Sequence, residues 1–212
     1  MFGHASGKEV ISALALTIIN TYFVTTQTSN LMIYISAGHH FNPAGADPGA
    51  VANGYREADL TRELRDLITE ELDRLGVKYI TDKDSETLQQ YLSRIKPGSG
   101  SVLCDLHFNA AGPSAQGVEV LVRNDADELS RSLAKKMCDM AVTTCGFKNR
   151  GVKTEADSHR GRLAVLNTAS GISVLPEICF ISSKEDLKKY HERKKELAKH
   201  YARLLKEYDE KI

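Results

Sequence analysis

The sequence predicts an α/β domain of three layers: a twisted, mostly parallel sheet with helices on both faces. Two observations carry this prediction. Short apolar, β-branched runs recur along the chain, and segments with apolar residues at three- and four-residue steps fall between them. Alternation of strand and helix builds a parallel sheet, whose carboxyl ends are where ligands bind.

The first strand is Leu31 to Ala37 (LMIYISA), a compact apolar run that stops at Gly38. A loop rich in Gly, Pro, Asn and Asp follows from His40 to Gly54. Leu60, Leu64, Leu67, Ile68, Leu72 and Leu75 then mark an amphipathic helix, ended by Gly76. Val77 to Thr81 reads as a second strand, and Leu88, Tyr91, Leu92 and Ile95 as a helix stopped by Pro97 and Gly98. Ser101 to His107 (SVLCDLH) is a third strand and Gly117 to Arg123 (GVEVLVR) a fourth. Leu129, Leu133, Met137 and Ala141 lie at helical spacing. Leu163–Asn167 and Ile172–Phe180 read as short strands around a turn at Ser170–Gly171. The last helix is expected to start at Ser182, with Glu185 completing a capping box, and to bury Leu187, Tyr190, Leu197, Tyr201, Leu204 and Tyr208.

The chain has 212 residues, 42% hydrophobic and 26% charged, which are the proportions of a globular domain able to fold without a disulfide scaffold. Lys+Arg and Asp+Glu are 28 each, so the net charge is zero, and binding to a nucleic-acid backbone by counterion release is not expected. Cys104, Cys138, Cys145 and Cys179 show no CxxC spacing and read as buried free thiols. The longest apolar stretch, Val10 to Val24, is interrupted by Ser12, Thr17, Asn20 and Thr21, so no stable membrane span is expected. With Lys8 offset by Glu9 and no clear cleavage site, it reads instead as a short helix or strand docked on the domain. Residues 1–30 thus form an N-terminal extension of open role, and residues 31–212 the main domain.

Four polar residues stand where a purely structural sequence would not put them. His39 lies just past the first strand, His107 closes the third, and Glu177 interrupts the apolar run VLPEICF. Glu57 precedes the long helix on the side of its apolar stripe. Each has a structural explanation: a strand-end His is commonly exposed or hydrogen-bonded, and a Glu suits a helix N-terminus. Glu177 resists one, because a carboxylate inside an apolar strand must be paired, protonated or bound to a cation. Strand ends of one parallel sheet converge on one rim. Two imidazoles and a carboxylate there form a zinc site of the His₂Glu type, and a second carboxylate supplies a general acid or base. The spacing itself is long and carries no HExxH signature.

At these residues the chain resembles the zinc-dependent N-acetylmuramoyl-L-alanine amidases of bacterial cell walls and phage endolysins, the amidase-3 family. The matching segments, in order, are IYISAGHH, FNPAGADPGAVANGYREADL, SVLCDLHFNA, NRGVK, LAVLN and VLPEICFISSKED, within a match that runs from about residue 31 to 205. The resemblance implies one zinc ion per chain held by His39, Glu57 and His107, with Glu177 as the catalytic glutamate. It implies peptidoglycan as the partner and action at the cell wall, on the periplasmic or extracellular side; as a phage lysin the enzyme would be made in the cytoplasm without a signal peptide. No wall-binding repeat follows the matching segment, which suits a compact phage lysin or a catalytic domain carried on a larger machine.

Two departures from the family pattern stand out: His40 replaces a usual Gly, and Asp105 a usual Ser. His40 is a candidate for supporting a metal ligand or touching substrate, or else an exposed loop residue. Asp105, on the same strand face as His107, is placed to orient that imidazole. Asn109 is a candidate for holding the site or the peptide. Arg150 and Lys153 are candidates for meeting a stem-peptide carboxylate, or else ordinary surface bases. Two other readings stay open: a zinc hydrolase of the same scaffold acting on another amide or peptide, and a non-catalytic wall-binding module.

Overall fold

The computed structural model describes residues 32–112, 114–158 and 160–212. The expected N-terminal extension lies outside them. The chain runs β1 (Met32–Ala37), a short hairpin of β2 (Val51–Ala52) and β3 (Tyr55–Arg56), α1 (Glu57–Arg74), β4 (Tyr79–Thr81), α2 (Leu88–Arg94) and β5 (Ser101–Asn109). It continues through β6 (Val118–Val122), α3 (Glu128–Cys145), β7 (Asn149–Thr154), two 3₁₀ turns (Glu155–Asp157 and Ala164–Asn167), β8 (Ile172–Phe180) and α4 (Lys184–Asp209).

The sheet is six-stranded, in the order β4-β1-β5-β8-β6-β7. All neighbours are parallel except β6 and β8, which run antiparallel. The predicted fold class therefore holds, with one antiparallel pair in the middle of the sheet.

Strand alternation divides the core in two. On one face Ile33, Ile35, Cys104, Leu106, Val120, Val174 and Ile178 pack under α1, α3 and α4. Leu60, Leu64, Ile68 and Leu72 of α1 are buried there, as the helical spacing required. The other face is covered by a thinner layer. Tyr34, Leu103, Leu121 and Leu175 meet Tyr91 and Ile95 from α2 and its end, and Val165 and Leu166 from the second 3₁₀ turn. All four cysteines are free and buried, as expected. Among the described residues no helix is long and apolar enough to cross a membrane.

Two local expectations fail for physical reasons, and one strand was not foreseen. Leu163–Asn167 is not a strand. Val165 and Leu166 both bury side by side, while Glu155 accepts from Leu163 N and Asn167 Nδ2, each at 2.7 Å, and curls the segment. The last helix starts one residue later than expected. Ser183, not Ser182, caps it by accepting from Asp186 N at 3.1 Å, and Asp186 is buried, accepting from Gly117 N at 2.8 Å. NRGVK forms most of an edge strand, β7, whose polar composition hides it from a search for apolar runs.

Candidate metal centre and cleft

The register of the sheet brings the unusual polar residues to one rim. Ser36 pairs with Asp105, His107 with Glu177, and Glu177 with Glu119. They share the face of Tyr34, Leu103, Leu121 and Leu175, but lie beyond the thin apolar layer toward the carboxyl ends of β1, β5 and β8. Asp105, His107, Glu119 and Glu177 line a cleft of about 740 Å³ together with His39, Glu57, Asn109, Arg150, Lys153 and Phe180.

β1 ends at Ala37, and the chain turns sharply through Gly38 into His39, whose φ is 73°. A non-glycine residue in this region is strained, so the surroundings must hold it. Gly38 N donates to Leu106 O at 2.8 Å, and Thr61 Oγ1 donates to Gly38 O at 2.8 Å. His39 Nε2 lies 3.0 Å from Glu57 Oε2. Its Nδ1 lies 3.0 Å from Asp47 Oδ2, at ion-pair distance but off the line of a hydrogen bond.

Glu57 is the first residue of α1 and is 4% exposed. Its Oε1 accepts from Phe108 N at 3.0 Å and faces His107 Nδ1 at 3.0 Å. Its Oε2 accepts from Ala50 N at 3.0 Å and faces His39. Burial alone pushes this carboxyl's pKa up. Hydrogen bonds from His107 and His39 outweigh burial and hold it well below the usual carboxylate range.

The His107 ring is held at both nitrogens: Nδ1 by Glu57, Nε2 by Asp105 Oδ2 at 3.1 Å. Asp105 is itself fixed by Ser36 Oγ, which donates to Oδ1 at 2.6 Å. Burial pulls the pKa of both imidazoles down. Asp105 and Glu57 outweigh burial at His107, and Glu57 outweighs it at His39, so both rings sit above their usual value, His107 well above.

Glu177 differs from Glu57. Its Oε2 is buried without a hydrogen-bond partner. Burial pushes its pKa up to about 7, and the charges of Glu57 and Glu119 add to this, against the lowering by His107 and His39. One carboxylate of the cluster is thus locked in the ionised form and the other balanced between its two forms.

The remaining candidates separate. Asn109 Nδ2 donates to Glu119 Oε1 at 2.7 Å and Arg150 Nε to Glu119 Oε2 at 2.7 Å, so both join the rim. Lys153 lines the same cleft. His40 does not line it; its backbone pairs with Asp47 and its Nδ1 accepts from Asn42 N at 3.3 Å, within its own loop. Sequence reasoning passed over Glu119, Asp47, Gly38 and Gly49. A Cβ on Gly38 would lie 2.4 Å from the His107 ring, and one on Gly49 would lie 2.5 Å from His39 and 2.7 Å from Glu57 Oε2. The glycines of AGHH and DPGA therefore leave room for the clustered side chains.

Two imidazoles and a carboxylate, each offering a donor atom within 4.8 Å of the others, suit a divalent cation. The crowding of Glu57 against both rings and the glycine cradle around them agree with that donor set. The fold and site together define an α/β domain carrying a His-Glu-His cluster, with a second acid beside it, at the carboxyl rim of its sheet.

The chain belongs to the amidase-3 family, N-acetylmuramoyl-L-alanine amidase, whose model matches residues 33–207. It is 28% identical over 183 residues to the uncharacterized protein YqiI of Bacillus subtilis, covering 84% of each chain. It is 27% identical over 167 residues to the endolysin of Bacillus phage SPP1, covering 73% of this chain but only 56% of that one. Among solved structures, the catalytic domain of CD27L endolysin targeting Clostridia Difficile is similar, with a TM-score of 0.67 and 25% identity over 83% of this chain and 97% of that chain.

Proposed function

We propose that residues 31–212 form a zinc amidase domain that hydrolyses the amide joining the lactyl group of N-acetylmuramic acid to L-alanine in peptidoglycan. Family membership supports amidase activity on peptidoglycan, and the endolysin relatives support action at the cell wall. The observation that carries the mechanism is the pairing of a fully engaged Glu57 with an unpartnered Glu177 on one rim.

In this reading His39, Glu57 and His107 would hold one zinc ion. When bound, zinc supplies Lewis acidity toward a carbonyl oxygen and toward water. Glu177 takes a proton from the attacking water and gives it to the departing amine nitrogen. The carbon–nitrogen bond breaks, leaving a lactyl carboxylate and a free L-alanine amino terminus. The raised pKa of Glu177 suits both halves of this transfer, because neither its acid nor its base form is strongly favoured near neutrality. Asp105 holds the Nε2 proton of His107 and so keeps Nδ1 free as a donor atom.

Digestion of purified sacculi tests this reading. Free L-alanine amino termini without new reducing ends are expected, with zinc near one per chain. Glu177→Gln is expected to keep the metal while cleavage falls by about 10²–10⁴-fold. Loss of metal from that variant would make Glu177 a ligand and overturn the assignment.

A further inference from the structure

Glu119 is the residue that links the rim to the far wall of the cleft. It sits opposite Glu177 across β6 and β8. One of its oxygens takes Asn109 and the other takes Nε of Arg150, each at 2.7 Å. The Arg150 guanidinium also lies over the Phe180 ring, 4.9 Å from its centroid. Arg150 is therefore fixed along one edge and across one face. Among the described residues its two terminal nitrogens have no hydrogen-bond partner, and its side chain is about one third exposed to the cleft (34%). A guanidinium held this way presents a planar fork that matches a carboxylate.

We infer that Arg150, positioned by Glu119, binds a free carboxylate on the second residue beyond the scissile amide nitrogen, so that the preferred substrate is an acidic stem peptide. The inference rests on the amidase reading, which sets the cleavage point beside Glu177. Sheet geometry fixes the distance: β8 to β6 to β7 is two strand spacings, roughly 10 Å, and Arg150 leans back toward Glu119 across part of it. The backbone from a scissile carbonyl to the carboxylate of the second residue spans about 7 Å. Lys153, on the same strand, adds positive charge to this wall, while Asp157 beside it offsets part of that charge.

The test compares two dipeptide products, L-alanyl-D-glutamate and L-alanyl-D-isoglutamine, which differ only in whether the second α-carboxylate is free or amidated. Calorimetric titration into the zinc-loaded full chain is expected to show about tenfold to hundredfold tighter binding of the free acid. Glu119→Gln and Arg150→Gln are expected to bring that ratio near one, with zinc content and melting temperature as controls. Arg150→Lys is expected to recover part of it, since charge returns without the fork. Equal affinity of the wild-type protein for both dipeptides overturns the inference. So does an undiminished preference in Arg150→Gln. Digestion of sacculi in parallel separates the two levels: a preference without muramoyl-amide cleavage supports this subsite and sinks the amidase reading, and cleavage without a preference does the reverse.

Discussion

Asp105 Oδ2 lies 3.1 Å from Nε2 of His107, while Nδ1 of the same ring faces Glu57 Oε1 at 3.0 Å. The two contacts give the imidazole nitrogens different jobs. A carboxylate at Nε2 keeps the proton there and leaves Nδ1 as the donor atom directed at the cluster. Ser36, by holding the other oxygen of Asp105, fixes the carboxylate's rotation as well.

The acid at position 105 is expected to matter for metal affinity rather than for folding. Asp105→Ser, which restores the hydroxyl usual in the family, should weaken zinc binding by about 10–100-fold in chelator competition. Asp105→Asn, which keeps an acceptor oxygen but loses the charge, should fall between the two. An unchanged affinity in a folded Asp105→Ala variant would remove the role.

Zinc uptake should be strongly linked to pH. Both imidazoles hold protons more tightly than free histidine, because Glu57 and Asp105 favour their charged forms. A metal must displace those protons, so affinity rises with pH until both rings are neutral. Over the range in which both are protonated, the affinity is expected to fall by more than about tenfold per pH unit on acidification. Titration with zinc in weakly buffered solution containing a pH indicator should show net acid release; a pH-independent affinity would contradict the ring pKa directions.

Much of the domain was legible because burial writes a periodic signal. The apolar strands β1, β5, β6 and β8 and the stripe of α1 are placed by short apolar runs or helical spacing alone. The edge strand β7 is not, since Asn149, Arg150 and Lys153 carry no apolar pattern, and its pairing with β6 supplies the order instead. Leu163–Asn167 misleads because a locally apolar run bends around Glu155, a tertiary constraint with no local trace. At the site, His39, Glu57, His107 and Glu177 were visible as polar residues in places that resist polarity. Glu119 was hidden in plain alternation, since an outward-facing Glu in GVEVLV is what a half-exposed strand would carry anyway. His40 drew notice as a departure from the Gly usual in the family, and its ring is used by its own loop.

Glu177 should lower the stability of the metal-free protein on the alkaline side. Its pKa is pushed up to about 7 from 4.5, so the folded state binds the proton more tightly than the unfolded chain. Stability from this group is therefore complete below about pH 4.5 and is lost as pH rises through 7. A shift of that size corresponds to at most about 3 kcal/mol. Glu177→Gln removes the titration, so the metal-free variant should melt several degrees above metal-free wild type at pH 8, with the gap closing near pH 4.5. An equal gap at both pH values would point to packing rather than ionisation.

The glycine at position 49 should prove as necessary as the ligands it faces. Its φ is +66°, and an added Cβ would fall 2.5 Å from His39 Cδ2 and 2.7 Å from Glu57 Oε2. Neither neighbour has room to yield, because Glu57 is held by two backbone amides and His39 already sits in a strained conformation. Gly49→Ala is therefore expected to cost about 1–2 kcal/mol from backbone strain, and to weaken zinc binding beyond what that loss of stability explains. Gly45→Ala in the same loop is the control, since nothing lies within 4 Å of its added Cβ and its φ is not in the left-handed region. Chelator competition on both variants decides the matter: a Gly49→Ala protein that binds zinc as tightly as the Gly45→Ala protein would mean that the cluster tolerates the displacement the close contacts forbid.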